Sequence, residues 1–151
     1  MFFHSPGSFD AAAYDRNKKI KKVFVKWGEA HGTLVYCGAD PVGWCQFGPR
    51  EELRRIDSKR NYLPTSEDAW RVTCLFTDRH HRRSGIAGVA VERSLDAMGR
   101  LGVKHVEAYP VEGSVSASML WSGTPGLFEK HGFKRVRPLG KSSWIYSTEL
   151  R

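Results

Sequence analysis

The stretch Arg82-Arg83-Ser84-Gly85-Ile86-Ala87-Gly88 constrains this chain more than any other. It lies between a strand-like run, Trp70-Arg71-Val72-Thr73-Cys74-Leu75-Phe76-Thr77, and a helix-like run. In the latter Ala87, Ala90, Val91, Ser94, Ala97, Met98 and Leu101 make one small or apolar stripe that stops at Gly102. Small residues at Ser84, Gly85 and Ala87 let the backbone turn tightly and approach a ligand. A helix starting there directs its unpaired N–H groups and the positive end of its dipole at that ligand. Arg82 and Arg83 add charge, so the stretch predicts an anion site, with a phosphate-bearing ligand as the first expectation.

A second apolar strand is predicted over Val103 to Val111, and strand, helix, strand implies a right-handed crossover and a parallel pair. Asp96 and Arg100 are spaced to pair on the outer helix face. Upstream, Phe9 to Trp27 predicts a helix with Ile20, Val23, Phe24 and Trp27 on one side. The Lys18-Lys19 and Lys21-Lys22 pairs form its solvated face, and Gly28 is the stop. Thr33 to Cys37 and Val42 to Phe47 read as an antiparallel hairpin around Gly38-Ala39-Asp40-Pro41. Gly48 to Leu53 resembles a short helix opened by Pro49, and Asp57 to Asp68 a long polar loop, either a mobile cover or a binding loop. Further on, Gly113 to Gly126 is rich in small residues, Leu127 to His131 is a short helix stopped by Gly132, and Phe133 to Val136 and Ser143 to Thr148 close the sheet.

A chain of 151 residues fits one domain, 1–151, with a helical segment over 1–30 and a core over 32–150. The formal charge of +8 favours polyanionic partners without choosing among them. Nucleic acid is not expected, because no helix-turn-helix spacing, metal pattern or aromatic-basic strand accompanies the charge. No apolar run approaches the roughly 18–20 residues a membrane span needs, and Met1 to Pro6 lacks the form of a signal peptide, so the expected location is cytoplasmic. Cys37, Cys45 and Cys74 are odd in number and widely spaced. They read as small apolar strand residues, and no metal is expected. The adjacent His80 and His81 read as surface residues of a basic turn.

Arg82-Arg83-Ser84-Gly85-Ile86-Ala87 fits the pattern of Gln or Arg, two residues, Gly, any residue, then Gly or Ala. With the flanking strand and helix, and with Phe128-Glu129-Lys130-His131-Gly132-Phe133 downstream, the chain resembles the GNAT superfamily of acetyl-coenzyme A-dependent N-acetyltransferases over Gly32 to Leu150. Val42-Gly43-Trp44-Cys45 with Pro49-Arg50, and Glu107-Ala108-Tyr109-Pro110, are similar to a bacterial branch whose substrates are largely unassigned.

The resemblance implies a mixed α/β (α+β) fold with a mostly antiparallel central sheet, one splayed parallel strand pair and helices on both faces. Acetyl-coenzyme A would be the cosubstrate and a primary amine the acceptor. The pyrophosphate would sit on Arg82, Arg83, Ser84, Gly85, Ile86, Ala87 and Gly88, the pantetheine would run beside Leu75, Phe76 and Thr77, and Phe128 would line the second signature. Many members carry a Tyr acid where this chain has Phe128, so Tyr109, Ser122 and Thr124 are the substitutes, with Tyr109 the candidate acid. Glu107, mid-strand between Val106 and Ala108, is the candidate base, since an unpartnered buried carboxylate is costly. The competing role for Glu107 is a pair with a neighbouring Arg or Lys. The family's opening strand has no counterpart before Leu34; an uncovered sheet edge invites a homodimer. Phe128 and the short N-terminal region also leave a second reading open, a catalytically silent acyl-coenzyme A-binding module.

Overall fold

A computed structural model describes residues 13–57, 62–113, 117–140 and 143–151. A single sheet carries its strands in the order β1-β2-β3-β4-β6-β5. The hairpin of β1 (His31–Cys37) and β2 (Asp40–Gly48) comes first, then β3 (Trp70–Thr77), β4 (His105–Ala108), β5 (Lys134–Pro138) and β6 (Trp144–Glu149). All neighbours are antiparallel except β3 and β4, which run parallel and are joined by helix α3 (Ile86–Arg100). The expected mixed, mostly antiparallel sheet with one parallel pair is therefore the observed one. Helices α1 (Tyr14–Lys26), α2 (Arg54–Asp57) and α4 (Pro125–Glu129) complete the described elements, apart from short 3-10 turns. No strand precedes β1 among the described residues, and positions 9–12 of the expected first helix lie outside them.

The alternation of strand side chains gives the sheet two different faces. Cys45, Phe47, Val72, Leu75, Val106, Ala108 and Tyr146 share one core with Ala90, Val91 and Met98 of α3 and with Phe128 and Phe133. Leu53, Ile56, Tyr109, Leu139 and Ile145 form a smaller core on the opposite face, with Tyr62 and Cys74 against it. Helices thus lie on both faces.

Helix α3 follows its predicted stripe only in part. Ala90, Val91, Ser94 and Met98 are buried, whereas Leu101, at the helix end, is exposed. Gly102 at φ +80° closes the helix: its N–H donates to the Gly99 carbonyl at 3.0 Å and that of Val103 to the Met98 carbonyl at 3.1 Å, the paired bonds of a Schellman end. Asp96 pairs with Arg93 at 3.1 Å, one turn before it, and not with Arg100.

Gly43 explains how α3 reaches the sheet. A Cβ there would stand 2.4 Å from Ile86 Cγ2 and 3.1 Å from Val35 Cβ, so only a bare backbone lets the first helical residue seat on β2. Gly43→Ala is expected to cost about 1–3 kcal/mol by overpacking. Gly99→Ala, where a Cβ meets nothing within 4 Å, should not destabilise. Urea unfolding of the two variants checks the contrast.

Helix α1 departs from expectation. No residue in it is buried, and Val23 and Trp27 of the predicted apolar stripe are exposed. Lys21 of the predicted solvated face instead turns onto the sheet, its Nζ 5.5 Å from the centre of the Trp44 ring. The three cysteines lie on strands: Cys45 is buried and Cys74 half-buried, but Cys37 is exposed. Burial pushes the Cys45 thiol up to about 12. Among the described residues no helix is long and apolar enough to cross a membrane.

The parallel pair is short. It joins Trp70 to Val106, Arg71 to Glu107 and Val72 to Ala108, and ends there. β4 is briefer than the predicted Val103 to Val111 because Pro110 has no N–H to give a ladder; Val111 makes only an isolated bridge to Ser143. On the other side of β3, Gln46 pairs with Cys74 while the next residue, Phe47, pairs with Val72. Thr73 is the extra residue of a β-bulge, and its hydroxyl donates to the Gln46 carbonyl at 3.5 Å. Bulges re-aim side chains and end pairing. Here the bulge falls at the position where β4 leaves β3.

Candidate active site

Beyond Val72 and the bulged Thr73, residues Cys74–Thr77 hold β2 on one side and have no β4 partner on the other. The space so opened is a cleft of about 730 Å³. Leu75, Phe76 and Thr77 of β3 form one wall, and Arg82, Arg83 and Ala87 the end nearest α3. Leu120, Trp121, Gly123, Thr124 and Leu127 form the opposite wall.

The end at α3 has the backbone geometry of an anion cradle. Arg82 is extended, Arg83 adopts φ +61° and Gly85, the residue that caps α3, adopts φ +82°. Left-handed residues inside a turn gather successive N–H groups towards one point, and the helix start adds its dipole. Arg82, Arg83, Ser84 and Gly85 are exposed. The turn is anchored behind: Asp78 accepts from the His80 N–H at 2.9 Å and lies 3.3 Å from His81 Nδ1, and Ser84 Oγ donates to the His81 carbonyl. Hydrogen bonds to the His80 N–H and the His81 ring hold the Asp78 carboxyl below its ordinary range. His80 and His81 therefore fasten the turn. No group of three or more His, Cys, Asp or Glu able to hold a metal occurs among the described residues.

The opposite wall was not legible as a wall. Within Gly113 to Gly126, where small residues carry no helical or strand period, Ala117–Ser122 is a 3-10 turn that brings Leu120 and Trp121 to the cleft. Gly123, at φ +77°, packs so closely that a Cβ would lie 2.7 Å from the Phe128 ring and 2.9 Å from Leu75 Cδ1. Thr124 caps α4 by accepting from the Leu127 N–H at 3.3 Å. The buried Ser122 hydroxyl has no hydrogen-bond partner among the described residues.

Of the predicted coenzyme residues, Leu75, Phe76, Thr77, Arg82, Arg83 and Ala87 line the cleft. Ser84, Gly85, Ile86 and Gly88 shape the turn and the helix start behind it. Phe128 is fully buried, edge-on to Phe133 at 5.1 Å between ring centres, and supports the wall from beneath Gly123.

Glu107 and Tyr109 stand on the other face of the sheet, where the pair divides. Glu107 is wholly buried and lies opposite Arg71, equally buried, with Arg71 Nε 3.9 Å from Oε2. The Tyr109 hydroxyl donates to Oε2 at 2.8 Å and the Thr65 N–H to Oε1. Burial, then the Glu107 charge, lifts the Tyr109 phenol well above its ordinary value. Arg71 also donates to the Tyr62 carbonyl at 2.9 Å, Arg137 donates to the Leu63 carbonyl, and the Tyr62 ring meets Tyr109 edge-on at 5.1 Å. The described part of the long polar loop is thus pinned across the sheet.

The model of the acetyltransferase (GNAT) family matches residues 4–133. The chain belongs to that family. A comparison with curated proteins returned no match. Among solved structures, an acetyltransferase from Thermus thermophilus is 19% identical with a TM-score of 0.60, over 99% of this chain and 82% of that one. The PaiA N-acetyltransferase of Thermoplasma acidophilum, in complex with coenzyme A, is 12% identical with a TM-score of 0.62, over 91% and 72%. YncA of Salmonella typhimurium, solved with acetyl-coenzyme A, is 14% identical with a TM-score of 0.60, over 91% and 73%. At these identities the likeness is one of fold.

Proposed function

We propose that the chain transfers an acetyl group from acetyl-coenzyme A to a primary amine by direct attack. The observation that carries this reading is the cleft itself: an unpaired strand edge at Thr73–Thr77 leads to a turn whose left-handed Arg83 and Gly85 converge N–H groups beside Arg82. A long ligand that is amide-rich in the middle and phosphorylated at one end suits that arrangement. When bound, acetyl-coenzyme A would supply an activated thioester.

In this reading the turn and Arg82 hold the pyrophosphate, and the free main-chain edge at Leu75 to Thr77 hydrogen-bonds the pantetheine as an added strand would. A main-chain N–H near Leu75 or Phe76 meets the carbonyl oxygen as negative charge develops on it. Glu107 accepts the proton shed by the amine, directly or through water. Each carboxylate oxygen has two lone pairs, so it can hold Tyr109 and Thr65 and still take a proton. Tyr109, whose own proton is tied to Glu107, orients that carboxylate and is a poor acid. A thiol of ordinary pKa near 8.5 leaves without one.

Calorimetry with acetyl-coenzyme A, followed by thiol release over a panel of amines, tests the proposal. Binding with release for at least one amine is expected. Binding without release for any amine selects the silent coenzyme A-binding module, and no binding ends both.

A further inference from the structure

The region around Lys21 has no part in holding the donor, although it touches the same strands from the opposite face. Lys21 Nζ lies over the ring of Trp44, and Trp44 is the cross-strand partner of Phe76, which lines the cleft. Cys74 belongs to the stretch of β3 that has lost β4, immediately precedes Leu75 and faces the same side of the sheet as Trp44. The face carrying α3 is filled by Ala90, Val91 and Met98, so an amine must approach a thioester beside Leu75 from the face on which Lys21 sits. Helix α1 buries none of its residues, which places it at the low-stability end of the fold, where a helix can shift against the sheet.

We propose that Lys21 is an acceptor of this protein's own acetyl transfer, so that the chain modifies itself at that residue. This rests on the donor reading given above. The Nζ lone pair forms the N–C bond to the acetyl carbon, the C–S bond breaks with its electron pair going to sulfur, and the proton lost from nitrogen passes through water to that sulfur. The products are N-acetyl-Lys21 and the free thiol of coenzyme A. Attack needs an uncharged amine, and burial holds the Lys21 ammonium down to about 8 from its ordinary value of 10.5, against the opposing pull of Glu52 and Cys74. Lys18, Lys19, Lys22 and Lys26 share the same helix and are exposed, which makes them internal controls. Acetylation would remove the charge that lies over Trp44 and fill the acceptor side, so it would also brake transfer to other amines.

The test is intact mass and peptide mapping of the whole chain after incubation with acetyl-coenzyme A at pH 8, beside a parallel sample given acetyl phosphate. Lys21 should be labelled about tenfold or more faster than its four neighbours with acetyl-coenzyme A, at a rate independent of protein concentration, since a held amine reacts as an intramolecular group. Acetyl phosphate should not reproduce that preference. Uniform labelling with both donors overturns the proposal. Release of thiol to a free amine with Lys21 unlabelled overturns it too, while leaving the acetyltransferase reading intact. Absence of acetyl-coenzyme A binding by calorimetry removes both.

Discussion

Arg71→Met is expected to lower the unfolding free energy by about 3–5 kcal/mol, the usual cost of leaving one member of a buried ion pair alone. Arg71 and Glu107 are both fully buried and directly opposed on the parallel pair. Without the guanidinium the carboxylate keeps, among the described residues, the Tyr109 hydroxyl and the Thr65 N–H. The Tyr62 carbonyl also loses its donor. For a domain of this size the loss corresponds to a fall of roughly 10 °C in melting temperature, readable by calorimetry or urea unfolding. Adding Glu107→Gln should recover much of it, because the stranded charge is removed with its partner. A loss below about 1 kcal/mol for Arg71→Met would mean that Glu107 is already solvated. Glu107→Gln alone serves a second purpose: its turnover should fall sharply with acetyl-coenzyme A affinity unchanged, and unchanged turnover from pH 6 to 9 would take Glu107 out of the proton path.

The other large effect is expected at the turn. Arg82→Ala should weaken acetyl-coenzyme A binding by about 10- to 150-fold, the equivalent of one charge-assisted hydrogen bond worth roughly 1.5–3 kcal/mol. Arg82 is exposed and borders the cleft, so its contribution should shrink at high ionic strength. A contact to the phosphates is the same before and during transfer. The change should therefore appear in KM for acetyl-coenzyme A while kcat stays nearly constant. A fall in kcat at unchanged KM would instead mean that the side chain reaches the reacting end.

The turn from Arg82 to Gly88 could be read from the chain because it depends on local chemistry. Gly85 needs a left-handed backbone, α3 needs its N-terminus open, and Arg82 to Ala87 follow a strand; each of these is written within a few residues. Arg83, the second left-handed residue of the turn, carries no such sign, since a non-glycine side chain gives no warning of positive φ. The far wall was hidden because its place is set by tertiary packing, as where Gly123 sits against Phe128 and Leu75, a contact that leaves no periodic trace. The neighbours of Lys21 in sequence predict a solvated side chain, whereas Trp44, from another element, lies beneath it. For Glu107 the residues on its own strand signalled an unusual position. They did not reveal that Arg71 stands opposite it, because parallel register is set by the crossover and not by either strand.

The bulge at Thr73 makes the cleft a matter of counting. One surplus residue in β3 moves the pleat out of phase, so that Val72 and Leu75, three positions apart, both face α3 while Arg71 and Cys74 face away from it. Removing that residue would bring the strand back into step with β2, and Leu75, then two positions after Val72, would keep its inward place opposite Cys45. The gap in which chemistry is proposed therefore has two causes, a surplus residue on the β2 side of β3 and a β4 that Pro110 cuts short on the other.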